Sequence, residues 1–157
     1  MSNTHNILIS ELIELLNGGT AHVSFKDAVN NLPGDLRGEK PGNVPYSIWQ
    51  LVEHIRIAQW DMLEFSRDEN HQSPKWPDEY WPEEATPTDD EKWNRALQQI
   101  DNDLEAFISL LKTGDLYKPF PHGNGQNLLR EALQIADHNS YHTGEILALR
   151  RLLGAWK

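Results

Sequence analysis

The apolar residues of this chain recur at helical spacing in four long stretches, and no stretch alternates apolar with polar residues as a half-buried strand would. That pattern confines the fold to helices packed on helices. The first stretch carries Ile7, Leu8, Leu12, Ile13, Leu15 and Leu16 and is closed by Gly18-Gly19. The second opens at Ser47, which with Gln50 has the form of a capping box, and places Ile48, Leu51, Ile55, Ala58, Met62 and Phe65 on one side before fading near Asp68. Thr88 and Glu91 repeat the capping pattern ahead of Trp93, Leu97, Ile100, Leu104, Phe107, Ile108 and Leu111, and Gly114 reads as a C′ residue. The fourth stretch runs over residues 127–154. A shorter helix is predicted over residues 24–31, ending before Pro33. The expectation is an all-α four-helix bundle forming one domain over residues 1–157.

The connections are unusual for a bundle. Residues 32–46 hold Pro33, Gly34, Gly38, Pro41, Gly42 and Pro45 and read as a loop without regular structure. Residues 70–87 hold Pro74, Pro77, Pro82 and Pro87, yet also Trp76, Tyr80 and Trp81, too many aromatics for a solvated linker. That segment is expected to fold back onto the bundle. Connections of this length permit a topology other than simple up-down-up-down.

Within the fourth stretch the buried stripe reads Leu128, Ala132, Ile135, His138, His142, Ile146, Leu149 and Leu153, so two imidazoles interrupt an apolar line. Residues four apart share a helix face, with Cβ atoms roughly 5–6 Å apart. Two such rings can share one divalent ion, which takes imidazole nitrogen at about 2.0–2.1 Å. His54, on the second helix, supplies a third nitrogen if the two helices pack, leaving a coordination position open. Glu145 shares the face of His138 and His142 and fits a fourth ligand, a base or an acceptor behind an imidazole. Gly144 costs roughly 1 kcal/mol relative to alanine inside a helix, which a close approach beside the site would explain. Asp61, seven residues after His54, faces the same way and fits the same cavity. The bland alternative is that these histidines are core side chains satisfied by carboxylates or carbonyls. His5, His22, His71 and His122 read as solvated, Glu53 as surface, and Arg150-Arg151 as charges favourable to the C-terminal helix dipole. Trp49 and Trp60 fall off the main stripe and are candidates for covering an interface.

Composition narrows the function. No cysteine is present, which removes disulfides, zinc–thiolate sites and a protein-borne thiol nucleophile, and suits the cytosol. A net charge of −10 argues against nucleic-acid partners, which need a basic footprint. No apolar run has the length of a membrane span. The Met1-Ser2-Asn3-Thr4-His5-Asn6 start lacks the basic region of a signal peptide.

The segments SIWQLVEHIRIAQWD (residues 47–61), HNSYHTGEI (138–146) and LRRLLG (149–154), in helix order, resemble the DinB-like family of small metalloproteins, which overlaps the YfiT-like thiol transferases. The resemblance covers nearly the whole chain. It implies a four-helix bundle in which His54, His138 and His142 bind a divalent ion, usually nickel or zinc, and it implies a homodimer. Members conjugate low-molecular-weight thiols to electrophiles or isomerise small acids with a thiol cofactor, and for many no reaction is known. The expected function is a metal-dependent hydrolase or low-molecular-weight thiol S-transferase acting on a small-molecule substrate, with Glu145 as the candidate catalytic carboxylate and an external thiol as possible co-substrate. The alternative is a non-catalytic bundle, carrying a structural metal, that binds a small ligand or a partner.

Overall fold

The computed structural model describes residues 3–156; the reading at Met1 and Ser2 lies outside the described residues. The described residues form five α-helices: α1 (Asn3–Leu16), α2 (Phe25–Val29), α3 (Ile48–Arg67), α4 (Asp90–Thr113) and α5 (Leu128–Leu152). No strand occurs among the described residues, and no helix is long and apolar enough to cross a membrane. The four long helices close a ring, with α3 against α4 and α5, and α1 against both α4 and α5. The short α2 packs on α5.

Capping decides where the helices begin. Ser47 and Gln50 form the predicted reciprocal box, with the Ser47 hydroxyl accepting from Gln50 N–H and the Gln50 amide oxygen accepting from Ser47 N–H. α4 starts one residue later than the Thr88–Glu91 pattern suggests. Asp89 is the N-cap and accepts from Lys92 N–H at 2.7 Å, while the Thr88 hydroxyl donates to the Asp89 carboxylate. A carboxylate facing the positive end of the helix dipole is at least as good a cap as a hydroxyl. Gly114 is not a left-handed C′ residue: its φ is −89°. It is glycine for lack of room, since a Cβ there would collide with the Leu128 side chain and come within 2.9 Å of the Leu110 carbonyl oxygen. The 32–46 segment is not wholly irregular, because Gly34–Leu36 forms a 3-10 turn.

Helix direction follows from contacts. Trp49 lies beside Trp93 and Gln59 donates to the Ile100 carbonyl, so α3 and α4 run parallel. His54 meets His142 while Gln59 meets Asn139, so α5 runs opposite to α3. Two parallel neighbours joined in sequence require a connection that returns the length of the bundle. Residues 68–89 do this as a strap laid along α3. His71 bonds Asp61, Tyr80 bonds Asp61 and His54, the Pro82 carbonyl accepts from Gln50, and the Ala85 carbonyl accepts from Ser47. The strap thus folds back as its aromatics predict.

Two apolar clusters fill the interior. One gathers Ile48, Trp49, Leu51, Val52 and Ile55 with Trp93, Ile100, Ile146 and Leu149. The other gathers Leu12, Leu16, Leu63, Phe107, Leu111, Leu116, Leu128 and Ile135. Trp49 is therefore core and covers no interface: it is fully buried. Between the clusters lies a polar layer containing His54, Gln59, His142 and Thr143, all buried, and the half-buried His138 and Asn139.

Other expectations need correction. Glu53 is buried and paired with Arg56 at 2.8 Å, because Arg56 covers it one helical turn on. Arg150 is no surface dipole charge. Buried at 5 % exposure, it donates to the carbonyls of Ala28, Asn30 and Ala155, tying α2 and the C-terminal turn to α5. His71 is half-buried on Asp61 rather than solvated, and the exposed His122 donates to the Phe65 carbonyl at 2.8 Å. Gly144 is exposed, and beyond its own helical turn no atom lies within 4 Å of where its Cβ would stand, so no other helix approaches there.

Candidate metal centre

α3 and α5, held antiparallel by the apolar clusters, bring His54, His138 and His142 together. One ring nitrogen from each lies within 4.8 Å of the other two. The Nε2 atoms of His54 and His138 are 3.0 Å apart. Two nitrogens each about 2.0–2.1 Å from one ion sit about 3.0–3.4 Å apart, so the His54–His138 pair is spaced to share an ion, and the third ring, within 4.8 Å of both, closes on it by a small side-chain movement. Among the described residues this is the one cluster of histidines and carboxylates with metal-binding geometry, and Glu145 is not in it.

Each ring is turned by a partner on its far nitrogen. His54 Nδ1 donates to the Tyr80 carbonyl at 2.9 Å, which leaves Nε2 with its lone pair toward the cluster. His142 Nδ1 donates to Glu145 Oε2 at 2.7 Å, with the same consequence. His138 Nδ1 faces Asn139 Oδ1 at 3.5 Å, a weak contact, and Asn139 is itself held by Gln59, whose amide donates to the Ile100 carbonyl. Metal-ligating histidines are oriented in this manner, by a carboxylate or carbonyl behind the ring. Aromatic rings complete the frame. Trp81 stacks flat on His54 at 3.8 Å and also on Tyr46 at 4.0 Å. Tyr141 meets His142 edge-on.

The protonation states suit metal binding. Burial first, then the neighbouring imidazoles, pull His138 down to about 4, and burial with His54 beside it pulls His142 down to about 4. Burial lowers His54 as well. All three shifts favour the neutral ring, the form that offers a lone pair. Burial pushes the Glu145 carboxyl upward.

The predicted triad is thus brought together, and Glu145 stands behind His142. Asp61 does not line the centre. Its two oxygens accept from Tyr80 O–H at 2.6 Å and His71 Nε2 at 2.7 Å. Sequence reasoning missed Tyr80, Gln59 and Asn139 as supports. The dense aromatics between prolines signalled strap docking, but nothing in the spacing told that a backbone carbonyl would hold His54. A cavity of about 660 Å³ lies elsewhere, between α1, α2, α4 and α5, and Trp76, Tyr80 and Trp81 do not line it. It reaches toward the centre through Gln59, Asn139 and Thr143, and none of the three histidines lines it.

No curated protein and no solved structure matches the chain. The sequence profile of the DinB superfamily matches residues 20–146, a span that holds α2 to α4, the strap, all three histidines and Glu145. An all-helical bundle, a histidine from α3 and a pair from α5 in one cluster, and a profile match over most of the length together place the chain: it belongs to the DinB superfamily.

Proposed function

We propose that this protein is a metal-dependent enzyme, a hydrolase or a low-molecular-weight thiol S-transferase, whose divalent ion is held by His54, His138 and His142. The observation that supports this most is the convergence of three imidazoles, two buried and one half-buried, each shifted toward its neutral form, with no fourth protein ligand in the cluster. Structural zinc is normally closed by four protein ligands, whereas catalytic sites keep a position for water or substrate. An ion there supplies positive charge that eases proton loss from a coordinated water or thiol. Imidazole donors suit nickel or zinc. In this reading Glu145 fixes the His142 tautomer and is the nearest carboxylate to receive a proton. Tyr141 and Trp76, both largely exposed beside the rings, border the entrance for a small-molecule substrate. With no cysteine in the chain, the sulfur of a thiol transfer comes from an external thiol. The homodimer implied by the resemblance belongs to the same reading.

Elemental analysis of untagged protein, with His142→Ala in parallel, tests the foundation. Near one ion per chain in the wild type, lost in the variant, is expected. Absence of any ion, with none taken up from added zinc or nickel, would reduce the cluster to satisfied core histidines. Thiol-dependent turnover of a model electrophile that persists in His138→Ala would sink the transferase reading. A second reading, a non-catalytic bundle that holds a small ligand, draws on the separate cavity of about 660 Å³, a size suited to one. Tight ligand binding that survives chelation would favour it.

A further inference from the structure

His54 is the one member of the triad whose orienting partner comes from outside α3 and α5. That partner is a backbone carbonyl in the middle of the strap, at Tyr80. A carbonyl in a long connection is a reliable partner only if the connection is fixed at that point. It is fixed by the same residue's side chain: Tyr80 O–H donates to Asp61 Oδ2 at 2.6 Å. Asp61 lies on α3, the helix that carries His54, so the contact closes a small ring from α3 out to the strap and back to α3. The carboxylate is buried at 9 % exposure, and its other oxygen accepts from His71 of the strap at 2.7 Å. Burial, reinforced by the Asp61 hydrogen bond and charge, raises the Tyr80 hydroxyl far above the ordinary tyrosine range, so it stays a donor. The residue after Tyr80 is Trp81, whose ring lies flat on His54.

We infer that Asp61 and Tyr80 are positioning residues for the metal centre: they clamp the strap to α3 so that the Tyr80 carbonyl holds His54 with its Nε2 toward the ion. This rests on the metal-binding reading above. The clamp works in both directions, because a contact that improves ion binding is itself strengthened when the ion binds. Partners behind a metal-ligating histidine are typically worth 10–100-fold in metal affinity. The neighbouring strap anchors serve as controls. Ser47 donates to the Ala85 carbonyl farther along the strap, away from His54, and also caps α3. Its loss loosens the strap's far end and the helix without touching the Tyr80 carbonyl that holds His54.

The experiment is competition of zinc between the protein and a chromophoric chelator, with the melting temperature of the metal-free form measured in parallel. Tyr80→Phe, which deletes one hydroxyl, is expected to weaken zinc binding about 10–100-fold. Asp61→Ala, which removes both strap contacts, is expected to weaken it at least as much. Asp61→Asn is expected to stay near wild type, because an amide oxygen still accepts the phenol proton and the amide N–H can meet His71 in its other tautomer. Ser47→Ala is expected to lower the melting temperature and leave zinc affinity unchanged. As a reading independent of metal, nitrogen NMR of metal-free protein should show His54 protonated at Nδ1 in the wild type and as a tautomer mixture in Tyr80→Phe. Equal zinc affinity in Tyr80→Phe and wild type would overturn the clamp while leaving the metal centre standing. Equal losses in Ser47→Ala and Tyr80→Phe would mean general loosening and would also overturn it. A wild type that binds no zinc or nickel would remove the metal reading and the clamp together, and is told apart from the other results by the wild type alone.

Discussion

Phe107 and His54 are both among the most deeply buried side chains of the bundle, yet they are held on different terms. Phe107 sits in the apolar cluster that runs from Leu12 to Ile135, among residues such as Leu63, Leu111 and Leu128, where volume is the requirement. His54 sits in the polar layer, where direction is the requirement. One nitrogen is bonded to Tyr80, the other faces His138, and the ring plane is set by Trp81. The apolar clusters hold α3 and α5 at the right separation; the polar layer uses that separation. Stability and metal binding are therefore expected to separate under substitution.

The sharpest test of that separation is also the largest effect. Phe107→Ala should cost about 3–5 kcal/mol in urea unfolding of metal-free protein, as a large cavity opens in a closed cluster. The folded fraction should bind zinc with wild-type affinity. A variant that loses zinc affinity while still folded would show the two regions to be coupled. Next comes the ion itself. Zinc held at about a thousandfold over its Kd should add roughly 4 kcal/mol to wild-type stability. His142→Ala should lose that increment while its metal-free stability changes far less. An increment that persists in the variant would place the zinc elsewhere.

The apolar clusters were largely legible in the sequence, because helical periodicity reports volume and burial directly. Ile48, Leu51, Ile55, Ile100, Phe107, Ile135 and Ile146 all fall inside as their spacing predicts. The triad was legible for a related reason: His138 and His142 break an apolar stripe at helical spacing. The supports were not legible. Trp49 looked off-stripe because α3 is covered on a second side by α4 and by the 32–46 segment, which widens its buried face. Asp61 and Glu53 could not be placed without knowing that the strap and Arg56 cover them. Tyr80 acts on His54 through a main-chain atom, which no residue type announces.

A smaller effect probes the border between the regions. Glu131 is a carboxyl at 4 % exposure, next in sequence to Ala132 of the cluster that holds Phe107, and burial pushes it from 4.5 up to about 7. Below its unfolded value both states hold the proton and its contribution is intact. As pH rises from about 4.5 to 7 the unfolded chain releases a proton that the folded chain retains, and stability falls, by on the order of 3 kcal/mol at pH 8. His138 and His142 act with the opposite sign in an overlapping window. Their lowered values remove stability as pH falls from 6.5 toward about 4. Subtracting Glu131→Gln from wild type isolates the first term. The variant should match wild type near pH 4 and exceed it at pH 8 in metal-free urea unfolding. A difference that stays constant with pH would show that Glu131 is ionised in the folded protein.

The smallest effect bears on why the polar layer is polar. Gln59 is fully buried, donates to the Ile100 carbonyl at 2.7 Å and accepts from Asn139 at 2.7 Å. Gln59→Leu keeps the volume and strands the Asn139 amide, which should cost about 1–2 kcal/mol. Adding Asn139→Leu removes the stranded partner, and replacing both members of a buried pair by apolar groups can be nearly neutral. The double variant should therefore recover part of the stability lost in the single one. Zinc affinity should move the other way, because the double variant leaves His138 Nδ1 without the Asn139 oxygen that faces it. Recovery of stability with further loss of zinc binding would mean that the amide pair is there to aim His138 and not to hold the bundle together. Additive destabilisation with unchanged zinc affinity would assign the pair to the fold, and the contrast between Phe107 and His54 would then stop at the triad itself.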